Sequence, residues 1–121
     1  MIKEIAFSVY AVTDMKKARA FYEGILGLKV GAEFDGSKNP NWVEYNIGKS
    51  ALAIGSSPDW KPSEHGASVA LETDKFDEMI KKLKKHKVVF QVEPQDYPTC
   101  SMAVVNDPDK NKIIIHKKKS K

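Results

Sequence analysis

The feature that most constrains this chain is a pattern that runs twice. An apolar, β-favouring stretch ends in a capping residue, a helical period follows, and three more strand-like stretches close the unit. Residues 5–12, IAFSVYAV, are the first such stretch, and Thr13 and Asp14 then offer an N-cap. Met15, Ala18, Phe21, Tyr22, Ile25 and Leu26 recur at steps of three and four, which predicts a helix that Gly27 stops. Leu28–Phe34 reads as a strand and Gly36–Pro40 as a polar loop; Trp42–Ile47 and Ala51–Ile54 read as a hairpin about Gly48 and Lys49. Residues 56–65, SSPDWKPSEH, carry Pro58 and Pro62 and no periodicity, and read as a linker. The pattern then restarts. Ala67–Thr73 is a predicted strand, Asp74 a predicted cap, and Phe76, Met79, Ile80 and Leu83 mark one face of a second helix. Val88–Val92 is a further strand, and Cys100–Val105 with Lys112–His116 form a hairpin around Asn106–Asn111.

The order is therefore β-α-β-β-β, linker, β-α-β-β-β, with the halves offset by about sixty residues, a repeat of architecture more than of letters. Each half alone is too small to bury its sheet face well. The expectation is one α+β domain over residues 1–121, built of two βαβββ modules at 1–57 and 64–118. Their strands would form a curved eight-stranded mixed sheet around a cleft.

Composition narrows the class. Apolar residues make up 41% and charged residues 30% of the 121, as in soluble globular domains. No apolar run approaches the ~20 residues of a membrane helix, and the opening MIKEIAFSVY lacks the apolar core of a signal peptide. The lone Cys100 excludes an internal disulfide and fits a cytoplasmic setting. The net charge of +4 raises the question of nucleic acid. Its lysines, however, crowd the second helix and its exit (Lys81, Lys82, Lys84, Lys85, Lys87) and the tail (Lys117, Lys118, Lys119, Lys121), without the interleaved aromatic residues of a single-strand platform. They read as a solvated helix face and a frayed end. No phosphate-binding glycine loop and no arguable Ser-His-Asp arrangement is present.

Residues 5–30 resemble the opening of vicinal-oxygen-chelate proteins, the glyoxalase, bleomycin-resistance and dioxygenase group. The matching residues are Val12-Thr13-Asp14 and Phe21-Tyr22-Glu23-Gly24-Ile25-Leu26-Gly27-Leu28. Asn106-Asp107-Pro108-Asp109-Lys110-Asn111 is similar to the group's D-P-D-G-N turn, with Lys110 in place of the glycine. Trp42-Val43-Glu44-Tyr45-Asn46 looks like its third strand.

The resemblance implies ligand positions on four strands, carried over here as Phe7, Glu44, Ser68 and Ile114. Of these only Glu44 is a good ligand for a divalent ion, whereas a catalytic metal needs about three. His116, two residues beyond Ile114 on the same strand face, is the one further donor. The expectation is a metal-free protein with no cofactor that binds a small molecule through Phe7, Trp42, Glu44, Ser68, Ile114 and His116. Glu44 is the best catalytic candidate if there is catalysis. The alternative is a metal-dependent lyase, isomerase or dioxygenase using Glu44 and His116. The resemblance also implies a homodimer. Neither membrane nor nucleic acid is expected as a partner.

Overall fold

The computed structural model describes residues 1, 4–34, 41–58 and 60–119. The expected polar loop at Gly36–Pro40 lies outside the described residues. Two compact units divide the chain, Met1–Ser63 and Glu64–Lys121. They are called module 1 and module 2 below.

Module 1 begins with β1 (Ser8–Ala11) and α1 (Met15–Arg19), followed by a π-helical segment (Ala20–Ile25). Asp14 caps α1 as expected, its side chain accepting from the Lys17 amide at 3.0 Å. The single predicted helix is thus two kinds of helix. Beyond Arg19 the turns widen, with the Leu26 amide donating to the Phe21 carbonyl and the Leu28 amide to the Tyr22 carbonyl, both at 2.9 Å. The second of these bonds depends on Gly27, whose φ of +75° only glycine adopts without strain. Next come β2 (Lys29–Phe34), β3 (Trp42–Ile47) and β4 (Ser50–Gly55), in the sheet order β1-β4-β3-β2. β1 pairs parallel to β4 and the other neighbours are antiparallel. Alternation on β3 buries Val43 and Tyr45, which join Tyr10, Tyr22, Leu52 and Ile54 in the core.

Module 2 repeats this plan with β5 (Val69–Glu72), α2 (Phe76–Lys85), β6 (Phe90–Asp96), β7 (Cys100–Asn106) and β8 (Lys112–Lys118) in the order β5-β8-β7-β6. Again the first and last strands pair in parallel. The core is Phe76, Ile80, Leu83, Ala103, Val105, Ile113 and Ile115. Among the described residues the eight strands therefore make two four-stranded mixed sheets, rather than one continuous hydrogen-bonded sheet.

Three local expectations need correction. The cap of α2 is Lys75, not Asp74; the Lys75 amide is held by Thr73 Oγ1 at 3.1 Å, and Lys75 makes no side-chain cap. β6 starts at Phe90 and continues through Pro94 to Asp96. This is an edge strand with irregular register, where a missing amide hydrogen is tolerated. Finally, residues 56–65 are not a free linker. Ser57 and Trp60 pair in a turn, the Ser56 amide donates to the Asn41 carbonyl at 2.9 Å, and Trp60 lies against the sheet of module 1.

The D-P-D-like turn is held by Asp107, which is 3% exposed. Its carboxylate accepts from the amides of Asp109 (2.8 Å) and Asn111 (2.9 Å) and from Asn111 Nδ2 (2.7 Å). Lys110 sits in this turn at φ +70°, a left-handed conformation that costs an L-residue about 1–2 kcal/mol. Lys110→Gly is expected to raise stability by about 0.5–1 kcal/mol, the strain relieved less the added chain entropy. A urea melt showing no gain, or a loss, would count against this reading of the turn.

Candidate functional site

In module 1 the face of β3 turned away from Val43 and Tyr45 carries Trp42, Glu44 and Asn46. Register sets their neighbours. Trp42 lies opposite Gly55 on one side and Phe34 on the other, and Glu44 lies between Ala53 and Ala32. Ala53 in turn pairs with Val9. Small residues at Ala32, Ala53 and Gly55 leave room above the sheet, and aromatic rings take it. Trp42 and Trp60 stack with centroids 6.2 Å apart and planes 18° apart. Phe7 meets Trp42 edge-on at 5.5 Å and 84°. Gly55 lies beneath the two indoles. A Cβ there would lie 2.7 Å from the Trp60 ring and 2.9 Å from the Trp42 ring, so close approach alone demands glycine. Glu44 is tied into the group, with Trp42 Nε1 donating to its Oε2 at 2.8 Å. Phe7 remains 41% exposed.

The repeat assigns counterparts. β1–β4 pairs Val9 with Ala53 and β5–β8 pairs Ala70 with Ile114, so each pair maps onto the other 61 residues on (70 − 9 and 114 − 53). Gly55 likewise maps to His116, and Ala11 to Glu72. Ile114 and His116 point away from the buried Ile113 and Ile115. His116 Nδ1 lies 2.6 Å from Glu72 Oε1, while Glu72 Oε2 accepts from the Lys118 amide at 2.7 Å. The Lys118 amide, and after it the imidazole, hold the Glu72 carboxyl below its ordinary range. Ser68 precedes β5 and is exposed.

Of the expected residues, the structure thus brings Phe7, Trp42 and Glu44 together in module 1. In module 2 it places Ile114 and His116 on one strand face. Trp60 and Glu72 were missed. Trp60 could have been suspected as a second tryptophan in a short proline-flanked segment. Glu72 had no signal beyond its position on a strand. A third cluster is structural. The buried Tyr45 hydroxyl donates to Glu23 Oε2 at 2.8 Å, and Arg19 Nε donates to the same oxygen at 2.7 Å. Burial, with the Glu23 carboxylate second, pushes the Tyr45 phenol far above its usual range, so it remains a neutral donor.

The residues do not fit the metal that the resemblance implies. Phe7 and Ile114 offer no donor atom. In the repeat, Ile114 corresponds to Ala53 on β4, while Glu44 sits one strand away on β3, opposite Ala53. Among the described residues no three His, Cys, Asp or Glu side chains come together as a ligand set. Nor is any helix among them long and apolar enough to cross a membrane.

Comparison with known proteins places these features. Solved structures of the same fold include a glyoxalase family protein from Bacillus anthracis, with 23% identity, coverage of 98% of each chain and a TM-score of 0.80. A glyoxalase/bleomycin resistance protein/dioxygenase superfamily member from Sphaerobacter thermophilus DSM 20745 shares 25% identity over 97% of this chain and 98% of that one, with a TM-score of 0.77. TnmS3, an antibiotic binding protein from Streptomyces sp. CB03234, shares 22% identity over 98% and 100% of the two chains, with a TM-score of 0.74. No curated protein sequence matches the chain. The model of one family matches residues 4–115, nearly the whole length, and so the chain belongs to the Glyoxalase/Bleomycin resistance protein/Dioxygenase superfamily.

Proposed function

We propose that this chain is a metal-free small-molecule-binding member of its superfamily. Its ligand is a planar aromatic compound that stacks on Phe7, Trp42 and Trp60 and offers a hydrogen-bond donor to Glu44. The observation that carries the reading is the stack of indoles over Gly55. A module of this size has few other uses for three partly exposed aromatic rings beside a carboxylate. The antibiotic binding described for TnmS3 supports a binding role on this fold. The donor count argues against a resident transition metal, and with it against the metal-dependent enzyme. Ser68, Ile114 and His116 are the proposed contacts of a separate ligand surface on module 2, apart from the aromatic platform of module 1. Cys100 supports a cytoplasmic location.

Proflavine, a planar tricyclic amine, tests the platform. It is expected to quench tryptophan emission saturably, with Trp42→Ala and Trp60→Ala each weakening binding about tenfold. Dialysed protein is expected to hold far less than one equivalent of transition metal. Stoichiometric metal lost in Glu44→Ala or His116→Ala, or quenching indifferent to both tryptophan replacements, would overturn the proposal.

We further propose a homodimer. β2 and β6 are edge strands with the apolar side chains Val30, Phe34 and Val92 exposed, and open edges favour pairing. Sedimentation at tens of micromolar should give twice the 13.5 kDa chain mass. A species at the chain mass alone would rule the dimer out.

A further inference from the structure

The repeat gives module 2 a row of residues equivalent to the aromatic platform, and the chemistry there is different. Across β5, β8 and β7 the row reads Glu72, His116, Met102, where module 1 has Ala11, Gly55 and Trp42. The neighbouring row is Ala70, Ile114 and Val104, all apolar. An imidazole therefore stands at the edge of an apolar floor, on the face turned away from the module's core.

The geometry fixes how that imidazole is presented. Both oxygens of Glu72 are used, one by the Lys118 amide at 2.7 Å and one by His116 Nδ1 at 2.6 Å. A carboxylate anion only accepts hydrogen bonds, so in the neutral ring the proton must sit on Nδ1. Nε2 is then the acceptor. Among the described residues the His116 ring makes no other hydrogen bond, so Nε2 is left for a ligand. The backbone clamp on Glu72 keeps the carboxylate from swinging away and keeps the ring oriented, as a carboxylate partner does for imidazoles that must hold one tautomer.

We propose that Glu72 and His116 form a proton-accepting site for the acidic hydroxyl of a phenolic or enolic small molecule. The ligand's carbon frame rests on Ile114, Val104 and Met102. The hydroxyl donates to Nε2. On full transfer its O–H bond breaks, an Nε2–H bond forms, and the resulting phenolate faces an imidazolium whose charge Glu72 balances. Glu72 is a positioning residue in this arrangement, and His116 is the group that touches the ligand. The inference deepens the small-molecule-binding reading and rests on it, but it uses module 2 alone.

Two measurements test it. Nitrogen-15 spectra of the neutral His116 ring should show Nδ1 protonated and Nε2 bare. In Glu72→Ala the proton should move predominantly to Nε2. The chromogenic phenol p-nitrophenol should bind saturably, with its absorbance shifted toward the phenolate and the His116 Nε2 signal perturbed. His116→Phe, which keeps an apolar ring in place, should weaken that binding about tenfold or more, while proflavine quenching of the tryptophans is unchanged. An Nε2-protonated ring in the unaltered protein would overturn the inference. So would p-nitrophenol binding indifferent to His116→Phe. If proflavine binds and p-nitrophenol does not, this site fails while the aromatic reading stands; if neither binds, both fail.

Discussion

Tyr22→Ala is expected to remove about 3–5 kcal/mol of stability, the loss typical of a large aromatic side chain cut from a core. Tyr22 is fully buried on the π-helical segment, where it touches three other rings. It stacks near Tyr10 (6.5 Å, 28°) and Tyr45 (6.0 Å, 21°) and meets Phe21 edge-on (5.0 Å, 84°). Its removal leaves a cavity where helix and sheet of module 1 meet. Domains of this size are stable by about 5–15 kcal/mol, so the loss is a large share of the total. A urea midpoint lower by about 2 M is the expected reading, from slopes of about 1–3 kcal/mol per molar. Tyr45→Phe separates ring from hydroxyl. It keeps the stack and removes only the bond to Glu23, for an expected loss of about 1–2 kcal/mol. Equal losses for the two variants would show that the stack is not what holds the segment down.

Gly55→Val should separate the two indoles. The added Cβ falls 2.7 Å from the Trp60 ring and 2.9 Å from the Trp42 ring, closer than such contacts allow. Trp60, carried by a short turn, gives way more easily than Trp42 in mid-sheet. The expected results are loss of the near-ultraviolet circular dichroism of the stacked indoles, a stability cost of about 1–3 kcal/mol from overpacking, and proflavine binding weaker by about tenfold or more. The far-ultraviolet spectrum should be preserved, because valine suits a strand. An unchanged near-ultraviolet spectrum with unchanged binding would mean that the stack is not the ligand platform.

Both predictions turn on residues whose roles were unequally legible. Tyr22 declared itself by period, since Ala18, Tyr22 and Leu26 fall on one helical face and all three are buried. The Asp14 cap, the Gly27 stop and the hairpin about Gly48 were read for the same kind of reason, as local chemistry with a local signal. The π-helical widening after Arg19 was not, because an i→i−5 bond leaves almost no mark on residue spacing. The Asp74 cap failed because the helix begins one residue later, with Lys75 at the N-cap, its amide held by Thr73 Oγ1 and no side chain capping the entry. Strand β6 was expected over Val88–Val92 but runs Phe90–Asp96, since an edge strand can hold Pro94.

By itself the sequence determined the order of elements, the twofold repeat and the inventory of donors, because periodicity, turn chemistry and residue type are properties of neighbours along the chain. It named Phe7, Trp42, Glu44, Ile114 and His116 as residues of interest. Tertiary structure alone decided which of them meet. Strand register put Gly55 under Trp42 and His116 beside Glu72, and chain return brought Trp60 onto the sheet. These contacts join residues far apart in sequence or across a turn without periodicity. Their energies depend on distances of a few ångströms that no local pattern encodes.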